Sequence, residues 1–328
     1  AMSVAEEARR LAEDAADPRS AATVHTVLAM IAALDGDRAA NDVHYLRALE
    51  YADRAGDVMQ LIRIRSNRSS HFLEEGDLDT ALAELDIALR LADMSGYDVW
   101  RAMALTNRGE CLLLKGRLDE SARELLQAAD TFRRIGSAHE KYTQMVLGDV
   151  YATRGDRVLA RVAYERAIEL AEAQADAQAL VHVCASLSAL VADVDPELVA
   201  RLTQRVDGLA SPAGRSRVWL AHARVDLARG DDAAAHAAAG DAVTEALGRN
   251  LRAVAAEALE VRAATAPDPA SAMRALDESR GLWTAIGSPI GTARVDVARA
   301  ALLDGASATA LATAAAERLD QLGAKGLA

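Results

Sequence analysis

Apolar residues in this chain fall into helix-length blocks, each closed by a glycine or a proline before the next begins. Glycines stand between such blocks at Gly36, Gly76, Gly116 and Gly155, then at Gly230 and Gly305, and Asp195-Pro196 and Pro267-Asp268-Pro269 complete the series. The first intervals are 40, 40 and 39 residues. Inside the blocks apolar positions recur with helical spacing, as Ala5, Ala8, Leu11 and Ala12 do in the first, and prolines avoid the interiors. The pattern therefore predicts helices throughout, and its fixed period predicts a repeat architecture of eight helix pairs.

Within each pair, small residues form columns. With the turn set at position 15, the fourth pair carries Gly148, Ala160 and Ala167 at positions 8, 20 and 27, and Tyr151 and Tyr164 at 11 and 24. The third pair has Gly109, Ser121 and Ala128 with Leu112 and Leu125; the second has Ser69, Ala81 and Ala88 with Phe72 and Leu85. Only small side chains fit where two antiparallel helices approach closely. These columns resemble the tetratricopeptide repeat. The resemblance implies an all-α, right-handed superhelical solenoid, with about eight tetratricopeptide-like pairs.

A second register explains why the period exceeds that of a minimal repeat. Gly56, Gly96, Gly136 and Gly287 each lie 20 residues beyond the turn of their own pair, which predicts a longer second helix ending on its own glycine cap. Phe132 and Trp283 precede two of these glycines and read as core residues sealing the helix end. Asp37, Asp77, Asp156 and Asp231 follow turn residues, where a carboxylate can accept the free amides of the turn or the next helix. Residues 1–17 read as an orphan second helix of a truncated repeat, which suggests a chain excised from a longer protein. Residues 18–176 hold four well-patterned pairs, and 177–328 hold four degenerate, Ala-rich pairs continuing the same solenoid.

Charge and composition narrow the function. A net charge of −12 without a Lys/Arg-rich run disfavours direct contact with nucleic acid. The longest apolar stretch, Ala179 to Val194, is interrupted by His182, Ser186, Ser188 and Asp193 and reads as a buried helix, so no membrane contact is expected. Cys111 and Cys184 lie far apart in separate helices and read as core residues of a reducing, cytoplasmic setting. The first residues are charged and helical, unlike a secretory signal. No GxxxxGK[ST], HExxH or GxSxG occurs, so no phosphate loop, cofactor or metal site is expected, and no catalytic residue stands out. An enzyme would need a cluster of strongly perturbed titratable groups on the binding face.

By the family resemblance, the first helix of each pair lines the concave surface, and its groove positions carry the ligand. Those positions hold Arg63, Ser66, Asn67 and Ser70 in the second pair, Met103, Thr106, Asn107 and Glu110 in the third, Tyr142, Met145 and Asp149 in the fourth, and Arg217 and Arg224 in the sixth. Asn67 and Asn107 share one position, where family members hydrogen-bond an extended peptide backbone; the alternative is that they are solvated or bond across neighbouring helices. Met103, Met145 and Tyr142 form either an adaptable apolar floor or part of the core.

The long second helices and the terminal run from Ala316 to Ala324 resemble the helical-repeat sensor arm of large bacterial transcription regulators of the maltose-regulator type. That resemblance implies a sensor domain receiving a small-molecule inducer, a peptide or a protein, with the ATPase switch and DNA-binding end outside this chain. The alternative is a constitutive scaffold that docks a partner's peptide or helix. An enclosed groove favours the first, an open one the second.

Overall fold

In the computed structural model, which describes residues 2–207 and 216–327, the described residues form seventeen α-helices and one short 3-10 turn, with no strand. Helix α1 (Met2–Asp14) stands alone. Eight pairs follow: α2 (Pro18–Asp35) with α3 (Arg38–Arg54), α4 (Val58–Glu75) with α5 (Leu78–Ser95), α6 (Asp98–Leu114) with α7 (Leu118–Ile135), and α8 (Glu140–Arg154) with α9 (Arg157–Ala173). Then come α10 (Ala177–Val191) with α11 (Pro196–Asp207), α12 (Ser216–Ala228) with α13 (Asp232–Gly248), α14 (Arg252–Ala264) with α15 (Pro269–Ile286), and α16 (Pro289–Ala300) with α17 (Gly305–Gln321), ending on the turn Lys325–Leu327. The expected all-α helical-repeat solenoid is the fold observed.

Helix ends follow the predicted registers. At the α8–α9 turn, Gly155 adopts φ +88°, and the amides of Gly155 and Asp156 bond back to the carbonyls of Ala152 and Tyr151 at 3.0 and 2.8 Å, the arrangement that satisfies the last carbonyls of a helix. The glycine pattern alone misses three members of this series. Ala16 (φ 52°), Ala175 (φ 52°) and Asn250 (φ 58°) are left-handed as well, each 20 residues from a turn glycine (Gly36, Gly155 and Gly230). Asp37 and Asp231 cap the helices they precede, accepting from the amides of Ala40 and Ala234. Asp156, expected to do the same, is exposed and makes no side-chain cap; its carboxylate stays in water.

The chain divides into two compact units, the first comprising Ala1–Leu73 and Asp79–Arg108, the second Glu74–Leu78 and Gly109–Ala328. In the first unit Ala22, Ala29, Tyr45, Ala48, Ala52 and Ile64 form a dry seam. The Asn41 amide donates to the Ala29 carbonyl at 2.7 Å inside it, so the buried side chain is not left unpaired. Glu84 of α5 accepts from both Arg65 and Arg68 of α4.

In the second unit the small-residue columns do the work assigned to them. A Cβ on Gly148 would lie 2.3 Å from the Tyr164 ring, and one on Gly109 would lie 2.6 Å from Leu125. Ser121 adds a hydroxyl donated to the Gly109 carbonyl at 2.7 Å. Phe132 and Trp283 are buried, as their places before the glycine caps predict. This unit also closes on itself. Ile290, Ala293 and Leu319 of the last pair, with Ala324 just beyond it, share a core with Leu118 of α7. Ser288 donates to the Leu114 carbonyl at 2.7 Å, and the final turn packs on α8, with Gly326 against Gly155.

Candidate binding site on the first helices

Seven of the expected groove residues, Arg63, Ser66, Asn67, Ser70, Met103, Thr106 and Asn107, lie in the first unit. Asn107 is half-buried, and its amide donates to the Ser70 hydroxyl at 2.9 Å and the Ser66 carbonyl at 3.2 Å. Its nitrogen therefore ties α6 to α4. Asn67, also half-buried, has no hydrogen-bond partner among the described residues, and neither has the buried Nε of Arg63. Met103 is half-buried on α6.

The remaining six lie in the second unit, which brings Glu110, Asp149, Arg217 and Arg224 into a larger charged cluster. Glu110 of α6 and Asp149 of α8 are half-buried on the unit's inner face. The same face holds Glu74 at the end of α4, His182 of α10, Arg217 and Arg224 of α12, Glu257 and Glu260 of α14, and Arg294 of α16. Arg217 approaches Glu74 at 3.6 Å, Arg224 approaches Glu257 at 3.0 Å, and Arg294 forks onto Glu260 at 2.7 and 2.8 Å. The Trp283 indole donates to Glu260 at 2.8 Å, so this buried aromatic also fixes a charged residue. Tyr142 and Met145 go elsewhere: Tyr142 donates to Asp176, the cap of α10, at 3.0 Å, and Met145 packs against the α9–α12 core.

Crowding perturbs the titrations. Burial pushes the Asp149 carboxyl up to about 7; the hydroxyl of Tyr164, donated at 2.7 Å, and Arg224 oppose the shift, while Glu257 and Glu110 add to it. Burial likewise raises Glu110, against the pull of Arg217 and with a push from Glu74 and Glu257. His182 is held down to about 3 by burial and by the charges of Arg217 and Arg224, so its ring is neutral at physiological pH. Perturbed groups of this kind occur at catalytic and ligand-binding faces and in structural ion-pair networks alike.

Glu257, Glu260, Arg294 and His182 escaped the sequence reading because their pairs are degenerate and Ala-rich. A signal was present: Glu257 and Glu260 are one turn apart on a helix otherwise built of Ala, Val and Leu with arginines toward its ends, so they share a face. Among the described residues, no His/Cys/Asp/Glu group is arranged to hold a metal ion, and no helix is long and apolar enough to cross a membrane.

Comparison with known proteins agrees with the repeat reading. The tetratricopeptide repeat family matches residues 100–173. No curated protein matches the sequence. Among solved structures, the apo form of RapI is similar at 13% identity and a TM-score of 0.61, over 75% of this chain and 90% of that one. BtubC (BKLC) from P. vanneervenii is similar at 21% identity and a TM-score of 0.51, over 69% and 87% of the two chains. At these identities the likeness concerns the fold. The chain is thus an all-α helical-repeat solenoid with a tetratricopeptide match in its middle.

Proposed function

We propose that the inner face of the second unit is a regulatory binding site for a peptide or a segment of a partner protein. In this reading the chain is the cytoplasmic sensor part of a larger transcription regulator. The observation that carries it is the set of charged side chains from the first helices α4, α6, α8, α12, α14 and α16 that meet half-buried on one face. A wall with only a structural role would be filled more cheaply by apolar residues.

Closure of the unit supports a sensor over a constitutive scaffold. An occupant that changes how the pairs seat would shift the contacts of the last pair on the α6–α7 turn and of the final turn on the α8–α9 turn, and so bias one arrangement over another. A small polar inducer would use the same groups.

The test is selection of random dodecapeptides by display on the intact chain, followed by titration against the chain and its Arg217→Gln variant. Selected peptides should change at least about tenfold in affinity, which is roughly 1.4 kcal/mol. Peptides indifferent to Arg217 would overturn the site. A second reading, acid–base catalysis, is favoured by Asp149, since a carboxyl titrating near 7 suits a general base. Turnover of a bound ligand that stops in Asp149→Asn would favour that reading.

A further inference from the structure

Charges on the inner face of the second unit do not cancel within the chain. Each arginine of the face already has a carboxylate, Arg217 with Glu74, Arg224 with Glu257 and Arg294 with Glu260. Two carboxylates are left over. Glu110 makes no hydrogen bond or ion pair with any described residue, and Asp149 has only the neutral Tyr164 hydroxyl. Their placement is systematic: each lies six residues before the turn glycine of its pair, Gly116 and Gly155, so successive first helices present them at one level.

A third polar group on this face lacks a partner. The Nε2 of His182, on the next first helix, is buried and has no hydrogen-bond partner among the described residues. Most buried polar atoms in folded proteins have one. Its ring lies near Arg217 and Arg224, whose charges it senses. The face thus combines two carboxylates that have no ion-pair partner among the described residues with a neutral ring able to give or take one hydrogen bond.

Like charges held together away from bulk water are relieved by a cation between them, and an arginine or lysine side chain supplies that charge with several donors. Resting on the peptide-binding reading above, we propose that the occupant is a basic peptide whose guanidinium or ammonium group sits between Glu110 and Asp149. Burial raises the Asp149 carboxyl and the neighbouring Glu257 and Glu110 add to the rise, so seating a cation beside it favours the ionised form and releases a proton. Neutral or acidic segments would leave the two carboxylates as they are.

The display selection decides this separately from the parent reading. Arg217-sensitive dodecapeptides should be enriched in Arg and Lys. Replacing the key arginine of one such peptide by citrulline should weaken binding at least tenfold, measured by isothermal titration. Glu110→Gln should produce the same loss and make the citrulline substitution nearly silent, with an unchanged helical melt showing that the variant is folded. Arg217-sensitive peptides without basic residues, or with full affinity after citrulline substitution, would overturn the cation seat while leaving the peptide site standing. Absence of any Arg217-sensitive peptide would overturn both.

Discussion

The Tyr164 hydroxyl on α9 donates to the Asp149 carboxylate on α8 across 2.7 Å, and the ring reaches that position by lying against Gly148, where a Cβ would approach within 2.3 Å. One glycine thus links the packing of the fourth pair to the chemistry of its binding face.

Substitution at Gly148 should accordingly cost both stability and site geometry. Gly148→Ala forces the Tyr164 ring away, and overpacking of this kind costs about 1–3 kcal/mol. Neighbouring pairs share the loss, because repeats are stable only against one another. A lowered melting temperature by circular dichroism is expected; an unaltered melt would contradict the register.

Asp149 makes stability depend on pH in a direction that can be worked out. Its folded carboxyl titrates near 7 and its unfolded one in the ordinary carboxylate range, so between those values the folded chain holds the extra proton. Stability from this group is complete below the unfolded value and falls as pH rises toward 7, by up to about 1.4 kcal/mol per pH unit. The facing groups are Tyr164 of α9, Glu110 of α6, Arg224 of α12 and Glu257 of α14. Asp149→Asn keeps the acceptor for Tyr164 and removes the charge, so it should match the parent chain at pH 4 and be more stable at pH 8. Equal denaturation midpoints at both pH values would refute the assignment.

Ala175 offers a gain. It is exposed and left-handed at φ 52°, a conformation that costs an alanine about 1–2 kcal/mol. Glycine removes that strain but loosens the unfolded chain by about 0.4–1 kcal/mol. Ala175→Gly should therefore stabilise the chain by a net amount near 1 kcal/mol, measured by urea denaturation. A destabilised variant would show that the strain is absent.

The last turn should behave as a latch on the second unit. A Cβ on Gly326 would fall 2.0 Å from the Ala152 carbonyl oxygen, a backbone atom that cannot step aside cheaply. Gly326→Ala should release Lys325–Leu327 from α8 and speed amide exchange at the α8–α9 turn. Unchanged exchange there would mean that the closure does not depend on this contact.

Much of the fold was legible because a repeat states its rule several times. Gly148 and Gly109 fill the same column, and Phe132 and Trp283 precede the same cap. Ala16, Ala175 and Asn250 were not legible, because an alanine or asparagine in a glycine's place carries no mark of its backbone angle. The site was legible only in part. Register placed Glu110, Asp149, Arg217 and Arg224 on the first helices, but the partners of Arg217 and Arg224, Glu74 and Glu257, depend on how distant pairs meet. Asn107 shows the converse: its amide nitrogen is used within the packing of α6 on α4.

The most direct test of the central claim is amide hydrogen exchange with and without a saturating Arg217-sensitive dodecapeptide. Protection concentrated on the first helices α6, α8, α12 and α14 is the predicted result. Protection confined to the second helices α7, α9, α13 and α15 would place the partner on the opposite surface and contradict the account.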